Sequence, residues 1–153
     1  MPLEIRTAMP ADASAVASLL AELGYPQQVA TLPARVARLA DTRTDAVLVA
    51  ELDGQVVGVA CLHVTVFFHE PGPGRARLTA LVVDPACRGS GIGGRLLRAA
   101  EAAARQRGCT VLELTSAAHR EAAHRFYQAA GYQDLPHRFT KNLGTDAAQT
   151  RQQ

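Results

Sequence analysis

The chain has 153 residues, 48% of them hydrophobic and 20% charged, as expected of one globular domain with a sizeable core. Its net charge of +2 is too small to argue for a nucleic-acid partner, and no basic run is interleaved with aromatic residues. Cys61, Cys87 and Cys109 are odd in number and show no C-x-x-C spacing. They speak against a disulfide frame or a zinc site and for a reduced, cytoplasmic setting, so no metal is expected. Residues 1–8 carry Glu4 and Arg6 and read as no signal peptide, and no stretch reaches the roughly 18 apolar residues of a membrane span. A soluble protein without a membrane partner is therefore expected.

Residues 3–7 alternate apolar and polar and predict a short strand. Pro10 suits a helix start by its fixed φ, and Asp12 by its charge against the helix dipole. Val16, Leu19, Leu20 and Leu23 form that helix's buried stripe, and Gly24 ends it. Val29, Leu32, Val36 and Leu39 predict a second, weaker helix, with Pro33 as a boundary or kink. Residues 46–52 and 55–68 read as strands joined by an Asp53-Gly54 hairpin turn. Residues 69–74 form a loop, and residues 76–83 a further strand. A helix follows with Ile92, Leu96, Leu97, Ala100, Ala103 and Ala104 on one face; then come a strand over 110–115, a helical stripe of Ala123, Phe126, Tyr127 and Ala130, and an edge strand over 137–143. One domain over residues 1–143 is expected, with 144–153 as a disordered polar tail. The element order is α/β, with early antiparallel hairpins and one βαβ unit.

Between the strand and the helix of that unit lies Arg88-Gly89-Ser90-Gly91-Ile92-Gly93-Gly94. A glycine-rich turn entering a helix offers free N–H groups with the helix dipole behind them, which suits a phosphate or pyrophosphate. Arg88 adds a fixed positive charge. A P-loop would need Gly-Lys-Ser/Thr, whereas this chain reads Gly93-Gly94-Arg95. Gly89, Gly91 and Gly94 satisfy G-x-G-x-x-G, and Glu113 lies where a ribose-binding acid would belong. Against a dinucleotide site, residues 84–88 separate the strand from the first glycine. The chain after Gly94 is also too short for further βαβ units.

The turn resembles motif A of the GNAT superfamily of N-acetyltransferases, [R/Q]-x-x-G-x-[G/A], here Arg88-Gly89-Ser90-Gly91-Ile92-Gly93 after Leu81-Val82-Val83-Asp84-Pro85. His124-Arg125-Phe126-Tyr127-Gln128-Ala129-Ala130-Gly131-Tyr132 resembles motif B. The resemblance spans roughly residues 3–143 and implies a mixed central sheet with a splayed parallel pair, flanked by helices. It implies acetyl-CoA as cosubstrate. The main chain at Leu81, Val82 and Val83 would meet the pantetheine arm, with a donor at Val83 for the thioester oxygen. Residues 89–94 with Arg88 would hold the pyrophosphate, and Tyr127 would act as general acid toward the departing sulfur.

Many relatives carry a glutamate base where this chain has Thr79. Glu113 is the leading carboxylate left for that role, with His63, His69, Glu70 and His119 as further candidates. Arg120 stands where the family often has a cofactor-contacting asparagine. The sequence around Leu114-Thr115-Ser116 and His124-Arg125-Phe126-Tyr127 is most similar to small-molecule types, including aminoalkylphosphonate and aminoglycoside acetyltransferases, so a small-molecule amine is the expected acceptor. Protein N-terminal or lysine acetylation, and a non-catalytic acyl-CoA-binding module, stand as alternatives. Assembly as a homodimer is left open.

Overall fold

A computed structural model describes residues 2–115, 121–135 and 139–144. Its elements run β1 (Leu3–Thr7), α1 (Ala13–Glu22), α2 (Leu32–Leu39), β2 (Asp45–Leu52), β3 (Gln55–Thr65), β4 (Arg75–Val83), α3 (Ile92–Gln106), β5 (Leu112–Leu114) and α4 (Glu121–Ala129). The chain divides into two units, Met1–Thr115 and Ser116–Gln153. The first holds the whole described sheet, in the order β1-β2-β3-β4-β5. The pairs β1–β2, β2–β3 and β3–β4 are antiparallel; β4–β5 is parallel.

Asp53 and Gly54 take positive φ (53° and 79°), the backbone a two-residue hairpin between twisted strands requires. Alternation then sorts β2 and β3 onto two faces. Val49, Val59 and Val82 pack with Val16, Leu19, Leu32 and Val36 of α1 and α2. Ala46, Leu62, Val64 and Ala76 pack with Ala103 and Ala104 of α3 on the other face. All six apolar positions expected on α3 are buried, Leu96 and Ala100 completely. The helix approaches closely at Gly58, where an added Cβ would lie 2.8 Å from Leu96 Cδ1.

Several boundaries differ from the sequence reading. A single 3₁₀ turn (Pro10–Asp12) precedes α1, and the Asp12 carboxylate both caps that turn, accepting from Met9 N, and pairs with Arg6. Val29 lies before α2 and is exposed, and Pro33 stands in its first turn as a start, not a kink. Strand β3 ends at Thr65, three residues early, because β4 begins only at Arg75 opposite it. Strand β5 covers three residues instead of six. Among the described residues, 139–143 carry no strand, and Phe139 is open to solvent: alternation without a neighbouring ladder does not make one. Residues 136–138 and 145–153, and with them the expected tail, lie outside the described residues.

Candidate active site

Strand β4 has two different neighbours. Toward β3 it is paired along its length, with one irregularity: Leu62 faces Leu78 and Cys61 faces Ala80, so Thr79 is the extra residue of a β-bulge. Toward β5 the pairing covers only Ala76, Arg77 and Leu78, opposite Leu112, Glu113 and Leu114. From Thr79 to Val83 no strand among the described residues lies on that side. The parallel pair therefore forks, and a stretch of ~16 Å of main chain, five residues at ~3.3 Å each, is available to an extended ligand. Leu81 and Val83 lie on this stretch. Val82 does too, but its side chain is buried beneath α1 and α2.

The fork leads to the glycine turn. Asp84 continues the β3–β4 ladder by donating its N–H to Val57 O (2.8 Å), and its Oδ1 accepts from Ala86 N (2.9 Å). A 3₁₀ turn (Pro85–Cys87) follows, which the sequence reading missed although Asp84-Pro85 is a usual way to start one. The Ser90 hydroxyl then donates to Cys87 O (2.6 Å) and ties the loop shut. Gly89 and Gly91 both have φ of +84°, a region L side chains rarely adopt, and Gly91 caps α3 in it. No described atom lies within 4 Å of where their Cβ atoms would be, so it is the backbone twist, not crowding, that calls for glycine. Among the described residues, none of the N–H groups of Gly89, Ser90, Gly91, Ile92, Gly93 and Gly94 donates to another protein group. Six such donors at the start of a 15-residue helix match a diphosphate in charge and size. Arg88 is exposed beside them, its Nε 3.4 Å from Val83 O.

The other expected residues fall at the foot of the fork. Glu113 faces Arg77 across β4–β5, with its carboxylate 3.7 Å from Arg77 and 3.8 Å from Arg75. The Thr79 hydroxyl donates to Cys61 O (3.2 Å). His69 lies 3.6 Å from Glu70, which also binds Arg75 at 3.1 Å. His63 Nδ1 lies 2.9 Å from Asp45 Oδ1, a partner that nothing in the local sequence announces. Burial pushes the Cys61 thiol up to about 11 and also raises that of Cys109, so neither suits a nucleophile. His119 and Arg120 lie outside the described residues.

In the second unit Tyr127 is half-buried on α4, edge-on to Phe126 (5.1 Å between ring centroids) and Tyr132 (5.8 Å). Tyr132 N and Gly131 N close the helix on Tyr127 O and Gln128 O. The Phe-Tyr…Gly-Tyr spacing thus builds one aromatic cluster at a helix end.

A family model described as the acetyltransferase (GNAT) family matches residues 15–132. An aminoalkylphosphonate N-acetyltransferase of Salmonella typhimurium is 42% identical over 91 residues; that match spans 60% of this chain and 58% of the relative. An aminoglycoside N(6′)-acetyltransferase type 1 of Stenotrophomonas maltophilia is 35% identical over 133 residues, covering 85% and 86% of the two chains. In fold, the chain resembles a crystallised aminoglycoside N-acetyltransferase in complex with CoA, with a TM-score of 0.80 at 16% identity over 92% of this chain and 94% of that one.

Proposed function

Since the chain belongs to the acetyltransferase (GNAT) family, we propose that it transfers the acetyl group of acetyl-CoA directly to a primary amine of a small molecule. The observation that carries this reading is the junction, among the described residues, of an unpaired strand edge with six free N–H groups at a helix start. The main chain of β4 from Thr79 to Val83 would hold the pantetheine arm, and residues 89–94 with Arg88 the pyrophosphate. A main-chain donor on that stretch, at the end where the fork opens, would polarise the thioester carbonyl, where preorganised dipoles contribute most. Tyr127, in the motif B position, would protonate the leaving thiolate: a phenol near pKa 10 can supply a thiolate near 8.5 when the two are close. The acceptor is an ammonium ion at neutral pH, so a base must take a proton from it before it can attack.

The names of the two relatives point to small, polar amines, bearing a phosphonate in one and a sugar in the other. Three free thiols suit a reducing cytoplasm. CoA release from acetyl-CoA, followed with a thiol reagent, tests the reading against aminoalkylphosphonates, aminoglycosides, amino acids and a peptide with a free N-terminus. Acceleration by the first two classes is expected. Acceleration by the peptide alone would move the activity to protein acetylation. Tight binding of acetyl-CoA with no acceleration by any amine would leave an acyl-CoA-binding module, the reading that Thr79 in place of glutamate favours.

A further inference from the structure

We propose that His63, oriented by Asp45, is the general base that takes the proton from the acceptor amine. This rests on the N-acetyltransferase reading above.

Four residues stand in one row across four strands: Asp45 on β2 faces His63 on β3, His63 faces Arg77 on β4, and Arg77 faces Glu113 on β5. Paired residues share a sheet face. This one is the face that α1 and α2 cover further along, at Val49, Val59 and Val82. The row lies past that apolar patch, where the His63 side chain is 47% exposed. It also lies one residue short of the end of β4–β5 pairing, at Leu78 and Leu114. Thr79, in the bulge, is thus the diagonal neighbour of His63 at the place where the fork opens. The thioester end of an arm lying along residues 79–83, with its pyrophosphate on residues 89–94, comes to this point.

Five hydrogen bonds fix Asp45, one of them from Thr42 N to its carbonyl (2.9 Å). Its N–H donates to Thr42 Oγ1 (2.9 Å), and its carbonyl accepts from Arg107 Nη2 (3.0 Å). Its Oδ2 accepts from Thr44 Oγ1 (2.7 Å), which leaves Oδ1 for His63 Nδ1 at 2.9 Å. A carboxylate held this way selects the tautomer with the proton on Nδ1, so the lone pair is on Nε2. Among the described residues, Nε2 makes no hydrogen bond to another protein group. The rival groups are otherwise engaged. Glu113 lies between two guanidinium groups, Glu70 is bound by Arg75, and the Thr79 hydroxyl donates to a carbonyl. Among the described residues, the charged groups of this row are Asp45 from β2, Arg77 from β4 and, beyond it, Glu113 from β5, which pairs with Arg77; from the helix layer over the same face, Arg35 of α2 acts on Cys61, two residues from His63.

Of the three ammonium protons, one passes to Nε2 and on to solvent, and the freed lone pair attacks the thioester carbon. A second leaves as the C–N bond forms and the C–S bond breaks, and restores the phenol that protonates the departing sulfur. The third stays on the amide nitrogen.

The test is steady-state CoA release by the full chain with the fastest acceptor of the panel above. In His63→Gln, kcat is expected to fall about 100-fold, the usual scale of a lost general base. The acid limb of its pH profile should disappear while KM for acetyl-CoA stays within about twofold. Imidazole added to His63→Ala should restore part of the rate. Asp45→Asn should lower kcat with the thermal midpoint monitored alongside; a fold defect there leaves the imidazole rescue as the deciding measurement. A kcat for His63→Gln within about threefold of wild type at every pH, or a pH profile abolished by Glu113→Gln and untouched at His63, overturns the assignment and leaves the transfer reading standing. No CoA release by the wild-type chain with any amine overturns both.

Discussion

Asp12 gives its two carboxylate oxygens to Arg6, at 2.8 and 2.9 Å, and one of them also accepts from Met9 N at 2.7 Å. The Arg6 guanidinium, first of all, holds the Asp12 carboxyl below the usual range, against the cost of its burial. An acid whose folded value is depressed adds stability that is fully present above its unfolded value, about 3.9, and is lost as pH falls through the folded one. Asp12→Asn is therefore expected to cost about 2 kcal/mol at pH 7, read by urea unfolding, and to cost much less at pH 2–3. Arg6 shows the same contact from the other side, its guanidinium held still more firmly protonated. Tyr127 invites a kinetic test. Tyr127→Phe keeps the ring that packs on Phe126 and Tyr132 and removes only the hydroxyl. Its kcat for CoA release should fall about 10- to 100-fold, with KM for acetyl-CoA within about twofold of wild type. An unaltered kcat across pH would end the general-acid role.

Helix α3 was legible in full, because six apolar residues at helical spacing can bury together in only one way. The glycine turn before it was legible for a related reason: its chemistry is local. What the sequence reading could not supply was register. From the Asp53-Gly54 turn, simple pairing would place Asp45 opposite Leu62. A bulge at Val57 shifts the ladder by one and brings Asp45 opposite His63. A second bulge, at Thr79, turns the end of β4 over so that Val82 faces α1 and α2. Thr79 has no glycine or proline beside it to announce the irregularity, and Gly58, next to Val57, has a separate reason to be glycine in the approach of Leu96. The three-residue length of β5 was equally hidden, since residues 110–115 keep their strand-like composition where the ladder has already parted. The α3–sheet contact carries its own prediction. Leu96 is fully buried over Gly58, so Leu96→Ala should destabilise by about 2–5 kcal/mol in urea. Gly58→Ala should also destabilise, through overpacking against Leu96, by about 1–3 kcal/mol. The double variant should recover part of the loss, because the cavity from one change accepts the methyl of the other.

Across the molecule, if acetyl-CoA occupies the N–H groups and strand edge left free among the described residues, as proposed, its binding should register in global stability. Acetyl-CoA at 100 times its Kd should stabilise the chain by about 2.7 kcal/mol, or about 5–10 °C in thermal midpoint. Gly91→Val, which forces a branched side chain to φ near +84°, should remove most of that shift. No helix among the described residues is long and apolar enough to cross a membrane.

The fork has a further consequence, for colloidal behaviour. A run of strand without a strand beside it is the kind of template on which foreign chains add by β-pairing. Here that template is the seat proposed for the pantetheine arm, so the cosubstrate would double as a plug. Protein freed of CoA should scatter more light on concentration or gentle warming than protein saturated with it, and desulfo-CoA, which cannot react, should protect equally well. Cells that hold the acyl carrier in excess would thus keep the enzyme dispersed as well as supplied.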